Sequence, residues 1–179
     1  RLCSMLFDAN STSAGVLHGN GVYCIAVDAW KNIVVGTYSG GIDIARPIGS
    51  MTAIYHHIPN NQQSLLNNHV NMVTPLTDDL LMMGTDNGIS ILNIRTGQWQ
   101  HSCQGVVALG ATRKPDGSVL VSTYGKGVYE MDSHANVRHI YTTNNSALKD
   151  DHVYATFHDK DGGLWVGSLN GDLLDKSAA

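Results

Sequence analysis

The chain has 179 residues, about one domain at the usual 150 or so residues each, and enough to bury a core without a metal or disulfide staple. Hydrophobic residues make up 42% and charged residues 15%. No apolar run approaches the roughly 20 residues of a membrane-spanning helix, and Glu, Lys and Arg are too few for the exposed faces of a helical bundle. The formal charge is -4 with no run of Lys or Arg, so the footprint of a nucleic-acid binder is missing and no nucleic acid is expected as partner. The three cysteines, Cys3, Cys24 and Cys103, form no C-x-x-C pair, and an odd number cannot all pair within the chain. The chain opens at Arg1 without methionine and closes on Lys176 to Ala179 just after an apolar stretch. It reads as a piece of something longer, whose targeting or anchoring segments would lie outside it.

In chain order, a strand at 2–7 comes first, with no partner near it in sequence. It fits the slot of an outer strand and is assigned to residues 1–8. Strands follow at 22–28, 33–37, 42–45 and 51–57; at 70–75, 80–84, 89–94 and 98–101; at 106–112, 119–123, 128–132 and 137–141; and at 153–158, 164–168 and 172–174. No window carries helical periodicity, and Gln62 to Asn68 reads as a loop because Asn, Ser and Gln favour one. One unit recurs four times: a strand opening on valine, a turn, a second strand ending near Gly-Thr, a Gly-rich turn, a third strand and an outer fourth. Anchored on Gly36, Gly84, Ser122 and Gly167, the period is about 44 residues. From Val22, Val70, Val106 and Val153 to these anchors the distance is 14, 14, 16 and 14 residues, and the two extra residues of the third copy are assigned to the turn Lys114-Pro115-Asp116-Gly117. Constant strand-turn-strand length with variable loops is what stacked hairpins require, because a one-residue slip inverts every side chain. Four antiparallel strands every 40 to 50 residues describe a β-propeller blade. The expectation is therefore an all-β chain of about four four-stranded blades, at about 18–60, 66–104, 105–145 and 148–179, forming one domain over 1–179.

The segment Leu148-Lys149-Asp150-Asp151-His152-Val153 running on to Asp161-Gly162-Gly163-Leu164-Trp165-Val166-Gly167-Ser168 resembles the two-component regulator propeller repeat. The other copies fit the same frame with departures: Asn32-Ile33, Leu81-Met82 and Val119-Leu120 replace the Leu-Trp pair, and Ser122 replaces glycine. The resemblance implies seven-bladed rings in the extracytoplasmic sensor region of hybrid histidine kinases of gut bacteria that sense polysaccharide breakdown products. It implies a non-enzymatic sensor fragment at the periplasmic face of the inner membrane, whose membrane-anchored parent carries any histidine kinase elsewhere. The expected partners are an oligosaccharide or other small ligand, the remaining blades of the ring, and a second copy in a homodimer. A protein-interaction scaffold of the kelch or WD-repeat kind is the alternative, and a carbohydrate-active propeller enzyme a third.

The chemistry-bearing residues give no catalytic constellation. His56 and His57 are adjacent and point to opposite faces of a strand, while His152 and His158 would lie about 20 Å apart if extended, so no metal site or cofactor is assigned. Asp159-Lys160-Asp161-Gly162-Gly163 lacks the later ligands of a calcium loop and reads as a hairpin turn. Gly36-Thr37-Tyr38-Ser39-Gly40 has one residue too many for a nucleophile elbow. Gly125-Lys126-Gly127 fails the dinucleotide pattern and opens a strand, and Arg1, Arg46, Arg95, Arg113 and Arg138 do not converge. Asn93-Ile94-Arg95-Thr96-Gly97-Gln98-Trp99 has its tryptophan too close to glycine for a quinone-enzyme docking motif and reads as a turn. Because antiparallel strands alternate direction, the second-to-third turns and the inter-blade loops share one end of the ring. The candidate ligand-binding residues are accordingly Tyr38, Asp86, Asn87, Tyr124, Lys126 and Asn170 from the turns. The loops contribute His69 and His152, with Asn68 and Asp151 beside them. Aromatic faces with amides and carboxylates suit sugar hydroxyls.

Overall fold

The computed structural model describes residues 16–45, 51–160 and 163–171; the strands expected at 2–7 and 172–174, and Arg1, Cys3, Arg46, Asp161 and Gly162, lie outside the described residues. Fourteen strands, all antiparallel, run in chain order: β1 (Val22–Val27), β2 (Ile33–Thr37), β3 (Ile42–Ala45), β4 (Met51–Tyr55), β5 (Val70–Pro75), β6 (Leu80–Thr85), β7 (Gly88–Asn93), β8 (Trp99–Ser102), β9 (Ala108–Arg113), β10 (Val119–Thr123), β11 (Val128–Met131), β12 (Val137–Tyr141), β13 (Val153–His158) and β14 (Leu164–Ser168). Among the described residues they form three four-stranded meanders, β1-β2-β3-β4, β5-β6-β7-β8 and β9-β10-β11-β12, and the two-stranded β13-β14. No helix occurs among the described residues. The first strand of each sheet is the inner one: β1 packs on β5, β5 on β9 and β9 on β13. The architecture is thus the expected arc of blades.

The apolar runs that lack alternation are explained by burial on both faces. In β6, Leu81 and Met83 face the first blade with Val34, Ile42, Ile44, Val70, Val73, Leu92 and Trp99. Met82, between them, faces the third with Ile89, Ile91, Val119, Val121 and Met131. In β10 the period of two sends Val119 and Val121 one way and Leu120 the other, to Val153 and Val166 of the fourth blade. Truncating one of these fully buried side chains to alanine would cost about 2–5 kcal/mol.

The register corrects the placement of the third copy's two extra residues. The pairs that close the first hairpins are Val27 with Ile33, Pro75 with Leu81, Arg113 with Val119 and His158 with Leu164. Each turn therefore holds five residues, 28–32, 76–80, 114–118 and 159–163, and the third turn is no longer than the others. The inner strand of the third blade begins at Ala108, paired to Thr123 as Val70 is to Thr85. The extra residues belong to the inter-blade loop at Val106 and Val107, where length is unconstrained by register.

Each of the four first hairpins also carries a bulge in its inner strand, one residue after its start. Pairing jumps from Val22 to Cys24, from Val70 to Met72, from Ala108 to Gly110 and from Val153 to Ala155. The residues left over are Tyr23, Asn71, Leu109 and Tyr154. A bulge leaves its extra residue out of the ladder and re-aims its side chain, here at the end of the arc where the second-to-third turns lie.

Candidate functional site at the turn end of the blades

Those turns are set by a buried threonine at the end of the second strand. Thr37, Thr85 and Thr123 donate their hydroxyls to the carbonyls of Gly41 (3.0 Å), Gly88 (2.9 Å) and Gly127 (2.7 Å). The turn glycines at 41 and 127 then donate N–H to the carbonyls of Asn68 and Asp151 in the next inter-blade loop. Turns and loops thus meet at one end, as expected. Gly127 has φ +75, and a Cβ there would be driven into the Tyr141 carbonyl, so only glycine fits.

At the cleft between the first two blades, Tyr38 and the bulge residue Tyr23 flank His69, with ring centroids 4.3 and 4.9 Å from the imidazole, both edge-on. His69 Nδ1 lies 2.7 Å from Asp86 Oδ2. A carboxylate only accepts, so Nδ1 carries the proton; in the neutral ring Nε2 is then a bare lone pair, and it is buried without a partner. Asp86 Oδ1 accepts from the amide of the second bulge residue, Asn71 (3.0 Å), which also donates to the Ala108 carbonyl (3.1 Å).

The cleft between the third and fourth blades holds a related station, with tyrosine and histidine at the matching positions but its carboxylate two residues before the histidine instead of in the next blade's turn. Tyr124 stands edge-on to His152 at 4.5 Å, with the bulge residue Tyr154 at 6.3 Å from Tyr124. His152 Nδ1 is 2.8 Å from Asp150 Oδ1, which also accepts the His152 backbone N–H (2.8 Å), and Asn170 donates to Asp150 Oδ2. The His152 N–H first, and then its imidazole, hold the Asp150 carboxyl below the ordinary carboxylate range. The middle cleft has no such station: the matching positions are Asp86, Val107 and Leu109.

Of the sequence candidates, the structure brings together Tyr38, His69 and Asp86 in one cleft and Tyr124, His152 and Asn170 in the other. Asn87 takes part through its backbone, donating N–H to Thr85 Oγ1 and accepting from Gly105 N–H. Lys126 stands exposed in the Tyr124 turn. Asn68 and Asp151 are used in the framework, accepting backbone N–H groups of His57 and Thr143 on their side chains. Sequence reasoning missed Tyr23, Asn71, Tyr154 and Asp150. The first three are aimed here only by the bulges; Asp150 was legible as the residue two before His152, the spacing of an Asx turn.

Residues 147–170 match the family model described as two component regulator propeller. No curated protein matches the chain. Among solved structures, the extracellular domain of the putative hybrid two component system BT3049 from B. thetaiotaomicron superposes with a TM-score of 0.75 at 22% identity, over 95% of this chain and 24% of that one. The corresponding domain of BT4673 from the same organism gives 0.68 at 22% identity, over 86% and 21%. An ancestral GH74 enzyme gives 0.66 at 16% identity, over 87% and 24%. The chain therefore spans under a quarter of the length of each. Its fourth blade carries the sequence pattern of the two component regulator propeller, and the arc as a whole has the fold of the propellers found in those hybrid two-component systems.

Proposed function

We infer that the chain is a ligand-sensing, non-enzymatic propeller segment of a hybrid two-component system, exposed on the extracytoplasmic side, and that it detects an oligosaccharide at the turn end of its blades. The observation that carries this is the pair of stations: two clefts each present exposed tyrosine rings beside a histidine held by a carboxylate that in turn accepts from an amide. Ring faces suit the apolar faces of sugars, while the remaining lone pairs of Asp86 and Asp150 offer acceptors to hydroxyls and the second amide N–H of Asn170 offers a donor. The family pattern at 147–170 and the likeness to extracellular sensor domains support the setting. Enzymatic propellers share the fold, as the GH74 likeness illustrates, but the stations pair one carboxylate with one imidazole, where glycosidases oppose two carboxylates.

Further blades complete the ring. The outward faces of the end blades are apolar and open: Ile25 and Val27 are 64% and 56% exposed on β1, and Phe157 and Trp165 are 63% and 40% exposed on β13 and β14. A membrane-anchored parent at the periplasmic face, acting as a homodimer, is the corresponding arrangement.

The test replaces Tyr38 and Tyr124 by alanine, singly and together, in the intact ectodomain, and measures binding of a panel of neutral oligosaccharides by calorimetry with product analysis for hydrolysis. The expected result is binding without turnover, weakened about 5–50-fold by each substitution. Unchanged affinity in both correctly folded variants removes this end as the site. Hydrolysis supports the enzyme reading, and absence of any binding leaves the interaction scaffold.

A further inference from the structure

A second surface lies on the outer rim of the second blade, along its free edge strand and outside the clefts between blades. Here β8 is the last strand of its sheet, and a groove of about 370 Å³ runs along its free edge, lined by Trp99, Gln100, His101, Ser102, Cys103 and Gln104 on one side and Gln62 and Gln63 on the other. That volume falls within the range of ordinary ligand sites, about 300–1,000 Å³.

Backbone bonding fixes which groups look into the groove. Asn93 N–H bonds to the Gln98 carbonyl (2.9 Å), so the next pair, Leu92 with Trp99, is a non-bonded one. Accordingly Trp99 N–H turns away from β7 and donates to Gln63 Oε1 at 3.1 Å. Two residues on, His101 has the same orientation, with its N–H and C=O directed outward from the sheet. The His101 ring binds the far wall, its Nε2 lying 2.9 Å from the Gln62 carbonyl. A side-chain amide therefore already stands in for a strand carbonyl at one rung, while the next rung is open. On the third blade the comparable edge is closed, since Asn145 donates its amide to the Ile140 carbonyl of β12 at 2.8 Å.

The groove walls carry no Asp, Glu, Lys or Arg, and Trp99 is too buried to be a stacking platform, which disfavours a saccharide here. What the groove offers is a strand edge and glutamine amides able to donate and accept. We propose that it receives an extended, uncharged peptide segment, added as a fifth strand on β8 with main-chain bonds to His101. This site shares no residue with the turn-end stations.

The experiment uses three probes: an end-capped pentapeptide of alternating Thr and Val, the same peptide N-methylated at alternate residues, and maltopentaose. Binding is read by calorimetry, and its place by amide hydrogen exchange over residues 99–104. The expected result is that the pentapeptide binds and slows exchange at 99–104, and that N-methylation weakens it at least about tenfold. Gln62→Ala with Gln104→Ala, both exposed, should weaken it about 3–10-fold without changing thermal unfolding. Tyr38→Ala with Tyr124→Ala should leave it unchanged, which separates this site from the oligosaccharide reading. No pentapeptide binding, binding indifferent to N-methylation, protection elsewhere than 99–104, or maltopentaose protecting that segment in its place would each overturn the proposal.

Discussion

Ser122 stands where the other three blades have Gly36, Gly84 and Gly167, and its neighbours explain why. At Gly36 a Cβ would collide with Cys24 Sγ across the hairpin and approach Val70 Cγ1 to 2.9 Å; at Gly84 it would meet Met72 and Ala108. In the third blade the residue opposite is Gly110, and Ser122 fills the space, with its hydroxyl 3.2 Å from the carbonyls of Gly110 and Tyr154. The glycine has changed strands. Gly36→Ser should therefore cost about 1–3 kcal/mol by overpacking, and adding Cys24→Gly should recover at least about 0.5 kcal/mol relative to the sum of the single changes; urea unfolding of the four proteins measures this, and simple additivity would refute the pairing. Glu130 is a second such particular. Lys114 Nζ donates to it at 2.7 Å and the Tyr141 hydroxyl at 2.7 Å. The lysine contact chiefly holds the Glu130 carboxyl below its ordinary 4.5, while Tyr141 is pushed up to about 12, first by its bond to Glu130. A lowered carboxyl contributes stability above the ordinary value and loses it as pH falls through the folded value. Unfolding midpoints of Glu130→Gln should thus fall less steeply than wild type below about pH 4.5, and parallel acid limbs would contradict this.

At the scale of elements, the strands were legible because burial on both faces and turn residues at regular intervals leave few alternatives. All fourteen described strands fall within two residues of their expected bounds, and the largest departure among the inner strands has a cause. The start of β9 was misplaced because Val106 and Val107 look like strand residues, whereas pairing begins only at Ala108. The bulges left no mark in the sequence, since Val-Tyr-Cys, Val-Asn-Met and Val-Tyr-Ala read equally well as regular strand; hence Tyr23, Asn71 and Tyr154 escaped notice although Tyr38 and Tyr124 did not. The Gly-Thr ending of the second strand was legible as a pattern, but its reason is the buried hydroxyl that ties each turn. Thr85, fully buried, makes this plain. Thr85→Val should keep the shape, lose the bond to Gly88, and cost about 1–2 kcal/mol in chemical denaturation; a neutral change would show that the bond is dispensable.

For the molecule as a whole, blades touch in sequence order and the two end faces stay open, so the isolated chain should associate with itself. Sedimentation velocity should show concentration-dependent species that Ile25→Lys with Phe157→Lys, or extension of the chain by further blades at both ends, reduces to a single component; a monodisperse monomer would argue that the faces are covered in another way. The strand-swapped glycine has a consequence at this scale too. Residues 108–123 carry complementary halves: Gly110 on β9 and Ser122 on β10, with the Ser122 hydroxyl bonded across to the neighbouring blade at the main-chain carbonyl of Tyr154, which is indifferent to side-chain identity. Shuffled chimeras that cross over within the five-residue turn 114–118 would set Ser122 against Met72 of the second repeat, or two glycines against each other. Those that cross over in the inter-blade loops would carry the matched halves together, so the heritable module of this array is the intact hairpin and the seams where repeats can be exchanged lie between blades.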